Sequence, residues 1–279
     1  MPELPEVETV CRGLDAAITG KRVTSFQTRR ADMRFPFPPD LRQIVTGQRI
    51  VAIKRRAKYG LIHLSNDHSL IFHLGMSGRM RIEAPRSGAE DALGPHDHVF
   101  FSCDDGVSVA FNDPRRFGFL DACPTANLGA NRFIKILGPE PLDDAFTAGT
   151  LSAALKDKAS PIKAALLDQR VVAGLGNIYV CEALFMAGIS PRRLARTIPG
   201  KRAERLVPAI KSVLQKAIQA GGSTLRDYAH VDGQLGYFQH DFQVYGREGA
   251  PCKTPGCTAI VKRIVQSGRS TFYCGTCQR

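Results

Sequence analysis

Half of the chain's eight cysteines fall within its last 28 positions, and their spacing restricts what that segment can become. Cys252, Cys257, Cys274 and Cys277 read Cys-x4-Cys-x16-Cys-x2-Cys. Two close pairs separated by the length of a short hairpin have metal-knuckle spacing. Each pair spans a turn, Lys253-Thr254-Pro255-Gly256 in the first and Gly275-Thr276 in the second. Between them Ala259–Val265 and Arg269–Tyr273 have strand character and meet at Ser267-Gly268. A two-stranded hairpin alone is marginal in water. One Zn2+ held by four thiolates would tie its ends together, and four ligands leave no open position for catalysis, so the ion would be structural. Two disulfides are the alternative, and they require an oxidising compartment that nothing in the sequence supports. Cys11, Cys103, Cys123 and Cys181 are scattered and read as small buried hydrophobes.

The rest of the chain must supply ordinary cores. At ~150 residues per domain, 279 residues suggest two domains. A hydrophobic content of 43% with 23% charged residues excludes wholesale disorder. The formal net charge of +12 exceeds the ~2–8 that suffices for solubility of a small domain. It points to a polyanionic partner: nucleic acid, an anionic membrane or an acidic protein. No apolar run approaches the ~20 residues of a membrane span. The opening MPELPEVETV lacks the layout of a secretion signal. A cytosolic protein is expected.

Val7, Val10, Leu14 and Ile18 form a helical stripe between Pro5 and a stop at Gly20. From Lys21 to about Cys123 the texture is β, with runs at Arg49–Arg55, Gly60–Ser65, Ser69–Leu74, Arg79–Glu83, His98–Cys103, Val107–Phe111 and Phe117–Asp121. Strands this closely spaced suggest a sandwich or a barrel. Arg86–Pro95 has the composition of a flexible loop. After Asn131 the texture turns helical, over Thr150–Lys156, Pro161–Leu167, Ile178–Ala187 and Ala203–Ala220. Gly221–Tyr237 lacks periodicity and reads as a mobile loop.

Several places could carry chemistry. Removal of Met1 would make Pro2 the N-terminus, with a secondary amine whose pKa, near ~8, leaves a useful unprotonated fraction. Such an amine attacks an aldehyde-level carbon to give an iminium, an electron sink for elimination. Glu3 could be its general acid or base, and Glu6, at i+3, a second carboxylate on the same face. The plainer reading is an acidic, proline-containing helix start. Lys54-Arg55-Arg56-Ala57-Lys58 is either a solvated run or a phosphate contact, with Lys58 placed to reach a reaction centre. Gly75-Met76-Ser77-Gly78 would display Met76 at a turn tip as a wedge between bases, or bury it beneath a hairpin. Asp113-Pro114-Arg115-Arg116-Phe117 would put Arg115 and Phe117 at another tip, suited to hydrogen-bonding and stacking on bases, or be an ordinary charged hairpin. Gly174-Leu175-Gly176-Asn177 is a helix–helix turn with Asn177 as N-cap, or a phosphate site with Lys158 and Lys163 nearby. Arg263 and Arg269 add positive charge to the cysteine hairpin.

In this order the motifs are recognisable. Pro2-Glu3-Leu4-Pro5-Glu6-Val7-Glu8-Thr9, Arg56-Ala57-Lys58-Tyr59, His73 to Gly78, His96-Asp97-His98-Val99, Asp113 to Gly118, Leu137 to Leu142, Gly174 to Tyr179 and Ser270-Thr271-Phe272-Tyr273-Cys274 span the chain. The sequence resembles the formamidopyrimidine-DNA glycosylases, bacterial base-excision repair enzymes. The first cysteine pair departs slightly, with four intervening residues where some relatives have two.

The resemblance implies an α+β multidomain fold. It comprises an N-terminal β-sandwich with a leading helix over 1–131, a helical helix-two-turn-helix domain over 132–225, a lid and connector over 226–243, and a zinc β-hairpin over 244–279. It implies a bifunctional glycosylase and lyase that flips an oxidised purine, 8-oxoguanine or a formamidopyrimidine, out of double-stranded DNA. Pro2 would attack the sugar, Glu3 would serve as general acid, and Lys58 and Arg269 would donate protons in β- and δ-elimination. His96, Arg115 and Lys158 would contact DNA, Asn177 would hold phosphate, and Met76, Arg115 and Phe117 would fill the gap left by the flipped base. Gly221–Tyr237 would be the lid over that base. A cytoplasmic monomer, bound to the bacterial nucleoid through DNA, is expected. The rivals are the endonuclease VIII-like class, which prefers oxidised pyrimidines, and a non-catalytic zinc-dependent DNA-binding protein.

Overall fold

The predicted stripe becomes the buried face of helix α1, Leu4–Ile18, with Pro5 in its first turn. Val7, Val10, Leu14 and Ile18 lie against a core shared by two four-stranded antiparallel sheets. One sheet orders its strands β1-β6-β7-β5, built from β1 (Val23–Thr28), β5 (Arg79–Glu83), β6 (Asp97–Cys103) and β7 (Ser108–Asn112). The other runs β2-β3-β4-β8, from β2 (Ile50–Arg56), β3 (Tyr59–Leu64), β4 (His68–His73) and β8 (Phe119–Pro124). Phe26, Phe101 and Phe111 from the first sheet meet the same cluster as Ile62, Phe72 and Leu120 from the second. This is a β-sandwich, so the choice left between sandwich and barrel is resolved by the open edges of both sheets. Strand β1 and the one-turn helix α2, Leu41–Val45, carry no strong sequence signal; the burial of Val23, Phe26, Leu41 and Val45 forms them.

The structure, a computed structural model, describes residues 2–83, 93–223 and 237–279. Met1, most of the loop expected over Arg86–Pro95, and 224–236 of the expected lid lie outside the described residues. The chain divides into two compact units: Met1–Lys135 with Ala220–Tyr237, and Ile136–Gln219 with Phe238–Arg279.

The second unit contains α3 (Ala148–Leu155), α4 (Ile162–Leu167), α5 (Asn177–Met186) and α6 (Lys201–Gln219), then β9 (Val261–Gln266) paired with β10 (Arg269–Cys274). Helix α5 is apolar on nearly every side and is buried from Ile178 to Leu184. Helix α6 continues through Pro208, whose missing N–H is offset by burial of Leu206, Ile210, Val213 and Leu214. Ser267 and Gly268 both have positive φ and make the two-residue turn between β9 and β10. Cys11, Cys103 and Cys181 are buried and Cys123 is half-buried, in keeping with small hydrophobes. Burial pushes the Cys11 thiol up to about 12. Among the described residues no helix is long and apolar enough to cross a membrane.

The hairpin β2–β3 carries Lys58 on its turn, and its shape depends on a missing side chain. A Cβ on Gly60 would lie 1.9 Å from Phe72 Cζ, and Phe72 is fully buried. We expect Gly60→Ala to destabilise the first unit by about 1–3 kcal/mol or more, seen as a lower urea midpoint. An unchanged midpoint would mean that Phe72 has room to move.

Candidate functional site

Pro2 is buried and precedes α1, whose N-cap is Glu3. Glu3 and Glu6 are each only 2% exposed. Glu6 Oε2 accepts the backbone N–H of Glu3 at 2.8 Å. Its other oxygen, Oε1, accepts the N–H of Ser223 at 2.8 Å and the Ser223 hydroxyl at 3.0 Å. A negative group at a helix N-terminus is favoured by the helix dipole, and each hydrogen bond to a buried carboxylate contributes ~1.5–3 kcal/mol. Glu6 is thus a clamp on the start of the chain, and the Glu3 side chain completes a reciprocal capping box by accepting the backbone N–H of Glu6. Gly222, at φ +81°, brings the backbone so close that a Cβ there would lie 3.1 Å from Glu6 Cγ.

Two residues further on, Glu8 links α1 to the strand that leads to Lys58. Arg55 Nε donates to Glu8 at 2.8 Å. Burial raises the Glu8 pKa, but Arg55 and Arg12 more than offset it and hold the carboxyl below its ordinary value. Lys54, Arg55 and Arg56 therefore sit on β2 rather than in a free basic run, and Arg55 also donates to the carbonyl of Ala57. Ala57, at φ 54°, is a left-handed non-glycine residue in the two-residue turn. Lys58 follows it and is 8% exposed. Behind the turn, Tyr59, His73, Phe119 and Phe133 pack ring to ring. Burial, with Lys58 and Arg34 close by, lowers the His73 pKa to about 4. His73 Nδ1 accepts the Gly75 N–H at 3.0 Å, so the ring is neutral.

Pairing of His73 with Phe119 across β4 and β8 sets the two expected base-contacting loops side by side. Gly75 lies at φ +64°, and a Cβ there would fall 2.4 Å from Gly118 N and Phe117 C, so only glycine permits this approach. Met76 is 37% exposed and Phe117 43%, which excludes the reading of Met76 as buried beneath a hairpin. The Arg115 guanidinium stands 4.8 Å over the Phe117 ring. His96 is exposed, and its carbonyl accepts the N–H of Asp113 at 2.9 Å.

In the second unit, Gly176 is the N-cap of α5 and Asn177 is its first residue, which corrects the expectation of Asn177 as the cap. The Asn177 side chain instead reaches the hairpin. Its Nδ2 donates to the carbonyl of Ser270 at 2.9 Å, and its Oδ1 has no partner among the described residues. Lys163 is fully buried and donates to the same carbonyl at 3.1 Å and to Thr271 Oγ1 at 2.8 Å. It is a strut under the hairpin, not a surface phosphate contact. Arg269, next to Ser270, is exposed as the first residue of β10. Arg263 is taken up by Ser270 Oγ and Glu248. Lys158 is half-buried on the connection from α3 to α4, its carbonyl accepting the Arg196 N–H.

The Sγ atoms of Cys252, Cys257, Cys274 and Cys277 all lie within 4.8 Å of one another. The Cys252–Cys277 and Cys257–Cys274 pairs are each 3.8 Å apart. Thiolates ~2.3 Å from a central ion at tetrahedral corners are about 3.8 Å apart, so the cluster fits a four-thiolate metal site and is too open for disulfides.

Glu6 as clamp, Lys163 as strut and the Ser77–Asp113 contact described below escaped sequence reasoning. Their partners lie 217, 107 and 36 residues away, beyond the reach of any local pattern.

Comparison with known proteins covers the whole chain. The pattern of the formamidopyrimidine-DNA glycosylase N-terminal domain matches residues 1–120, and that of the formamidopyrimidine-DNA glycosylase H2TH domain matches 137–229. Proteins named formamidopyrimidine-DNA glycosylase from Cereibacter sphaeroides and Paracoccus denitrificans are 54% and 55% identical, each over 100% of both chains. The crystal structure of the MutM (Fpg) protein of Thermus thermophilus is 40% identical, with a TM-score of 0.88 over 99% of this chain and 98% of that one. A Lactococcus lactis Fpg variant solved with Fapy-dG containing DNA is 35% identical, with a TM-score of 0.88 over 100% of both chains. From its first residues to its cysteine hairpin, the chain belongs to the formamidopyrimidine-DNA glycosylase family.

Proposed function

We propose that this protein is a bifunctional DNA glycosylase and abasic-site lyase that removes oxidised purines from double-stranded DNA. The observation that carries the reading is the N-terminus: Pro2 and Glu3 stand together at a helix start held by the Glu6 carboxylate. With Met1 removed, the Pro2 nitrogen attacks C1′ of the damaged nucleotide. The C1′–base bond breaks, and the departing base takes a proton. Glu3 protonates the sugar-ring oxygen as the ring opens, leaving an iminium on Pro2. Loss of a C2′ proton then expels the 3′ phosphate, and a second elimination expels the 5′ phosphate. Lys58 and Arg269 supply protons to these steps, and water finally releases Pro2. His96, Lys158 and Asn177 contact the phosphate backbone. Met76, Arg115 and Phe117 occupy the space left by the flipped base, with Arg115 reading the orphaned cytosine. The protein acts as a cytoplasmic monomer.

The four cysteines hold one zinc ion, which when bound fixes the base of the hairpin that presents Arg269. Metal analysis of the purified protein is expected to give one zinc per chain. Cys274→Ser is expected to lose it and to melt at a lower temperature; a full complement of zinc in that variant would contradict the assignment.

The substrate class is tested by comparing duplexes that carry 8-oxoguanine opposite cytosine with duplexes that carry thymine glycol. Faster excision of the purine lesion, with phosphate left at both ends of the gap, is expected. Faster excision of the pyrimidine lesion would place the chain with the endonuclease VIII-like class. Pro2→Gly is expected to lower strand cleavage about a hundredfold or more while duplex affinity changes by less than about threefold.

A further inference from the structure

Met76 stands on one loop, and Arg115 and Phe117 on another that comes much later in the chain. A wedge inserted into stacked bases works against an unstacking cost of a few kcal/mol per step. Loops that moved independently would yield to that load. The side chain that joins them is Asp113, which is fully buried. Its Oδ1 accepts the Ser77 hydroxyl at 2.6 Å and the Arg115 N–H at 3.3 Å. Its Oδ2 accepts the Gly118 N–H at 2.7 Å. The bonds to Arg115 and Gly118 shape the Asp113 loop from within, and a turn needs nothing more. The bond to Ser77 does something else, because it ties down the residue that follows Met76. It is short, buried and made to a carboxylate, the combination that makes hydrogen bonds strong. Within the Asp113 loop, Arg116 is held at φ 56°, an uncommon conformation for a bulky residue, so the surroundings fix the backbone between Arg115 and Phe117.

We propose that the Ser77–Asp113 hydrogen bond is a latch that makes the two loops one rigid wedge, and that through it Ser77 sets how strictly Arg115 distinguishes the base opposite the lesion. This rests on the reading of Met76, Arg115 and Phe117 given above. Ser77 touches no substrate; it is a positioning residue. Without the latch, Met76 can retreat, and the buried Asp113 that shapes the Arg115 turn loses the brace that Ser77 gives it. The guanidinium is then no longer held in register with the orphaned base, and cytosine loses its advantage over adenine.

The test uses the full-length protein with Ser77→Ala, Ser77→Thr and Ser77→Cys. Three readouts are needed: excision rates of 8-oxoguanine opposite cytosine and opposite adenine, fluorescence of 2-aminopurine placed beside the lesion, and strand cleavage of a duplex that already contains an abasic site. Ser77→Ala is expected to reduce the preference for cytosine about tenfold and to weaken the fluorescence rise that reports unstacking, as loss of a hydrogen bond to a buried charge requires. Cleavage at the abasic site should stay within about threefold of the parent. Ser77→Thr keeps the hydroxyl and should keep the preference; Ser77→Cys, a weak donor, should fall between and carries the test if the alanine variant does not fold. An unchanged preference in Ser77→Ala or Ser77→Cys would overturn the latch. So would an equal loss on all three duplexes, which is the mark of a purely structural role. If the parent itself excises no 8-oxoguanine, it is the proposed function that fails.

Discussion

A carboxylate sealed into the first turn of a helix governs the N-terminal part of this protein. Glu6 accepts the N–H of Glu3 on one side and the N–H and hydroxyl of Ser223 on the other. Unmatched, a charge so deeply buried would cost several kcal/mol. Matched, it orders the backbone at the very end of the chain, where disorder is the usual state. For the proposed nucleophile, a proline amine that must stay put, this hydrogen bonding of Glu6 to the start of α1 supplies the order. The same carboxylate anchors Ser223, which pairs with Tyr237 across the ends of residues 224–236. The segment expected to cover a damaged base is therefore rooted in the group that holds the expected nucleophile.

Each unit repeats this arrangement of a buried polar group under an exposed one. In the first, the fully buried Asp113 underlies the exposed Met76, Arg115 and Phe117, while the half-buried Arg55 and Glu8 join α1 to the hairpin whose turn carries the buried Lys58. In the second, Lys163 and Asn177 grip the carbonyl of Ser270, next to the exposed Arg269. Glu182, also buried, accepts the N–H groups of Gln243, Val244 and Tyr245 and so fixes the chain where it enters the cysteine hairpin. Burial raises the Glu182 pKa, while those amides and Lys253 act against it. The excess of positive charge thus consists of two populations: cations that hold the fold, such as Arg55 and Lys163, and cations left exposed, such as Arg115 and Arg269. The exposed population suits the phosphate contacts of DNA binding.

Much of this was legible in the sequence because the signals were local. The i, i+3, i+7 stripe located α1, turn residues located six strands within one residue and β8 within three, and cysteine spacing located the hairpin and its four clustered thiols. The family motifs named the candidate residues, but their partners lie far away in the chain. Nothing around Glu6 points to Ser223, and nothing around Lys163 separates a buried strut from a surface cation. Asn177 looked like a helix cap because asparagine often is one; Gly176 takes that position, and the Asn177 side chain serves the hairpin. Strand β1 was missed because its apolar residues, Val23 and Phe26, lie three apart instead of alternating, across a register shift between Val23 and Ser25.

The central claim, that an ordered N-terminal proline performs the chemistry, is tested most directly by reducing the reaction with borohydride on an 8-oxoguanine duplex and mapping the trapped adduct by peptide mass spectrometry. The account predicts one adduct, on the N-terminal peptide at Pro2, in protein that has lost Met1. An adduct on Lys58 or another lysine, or none from protein with a free Pro2, would contradict it.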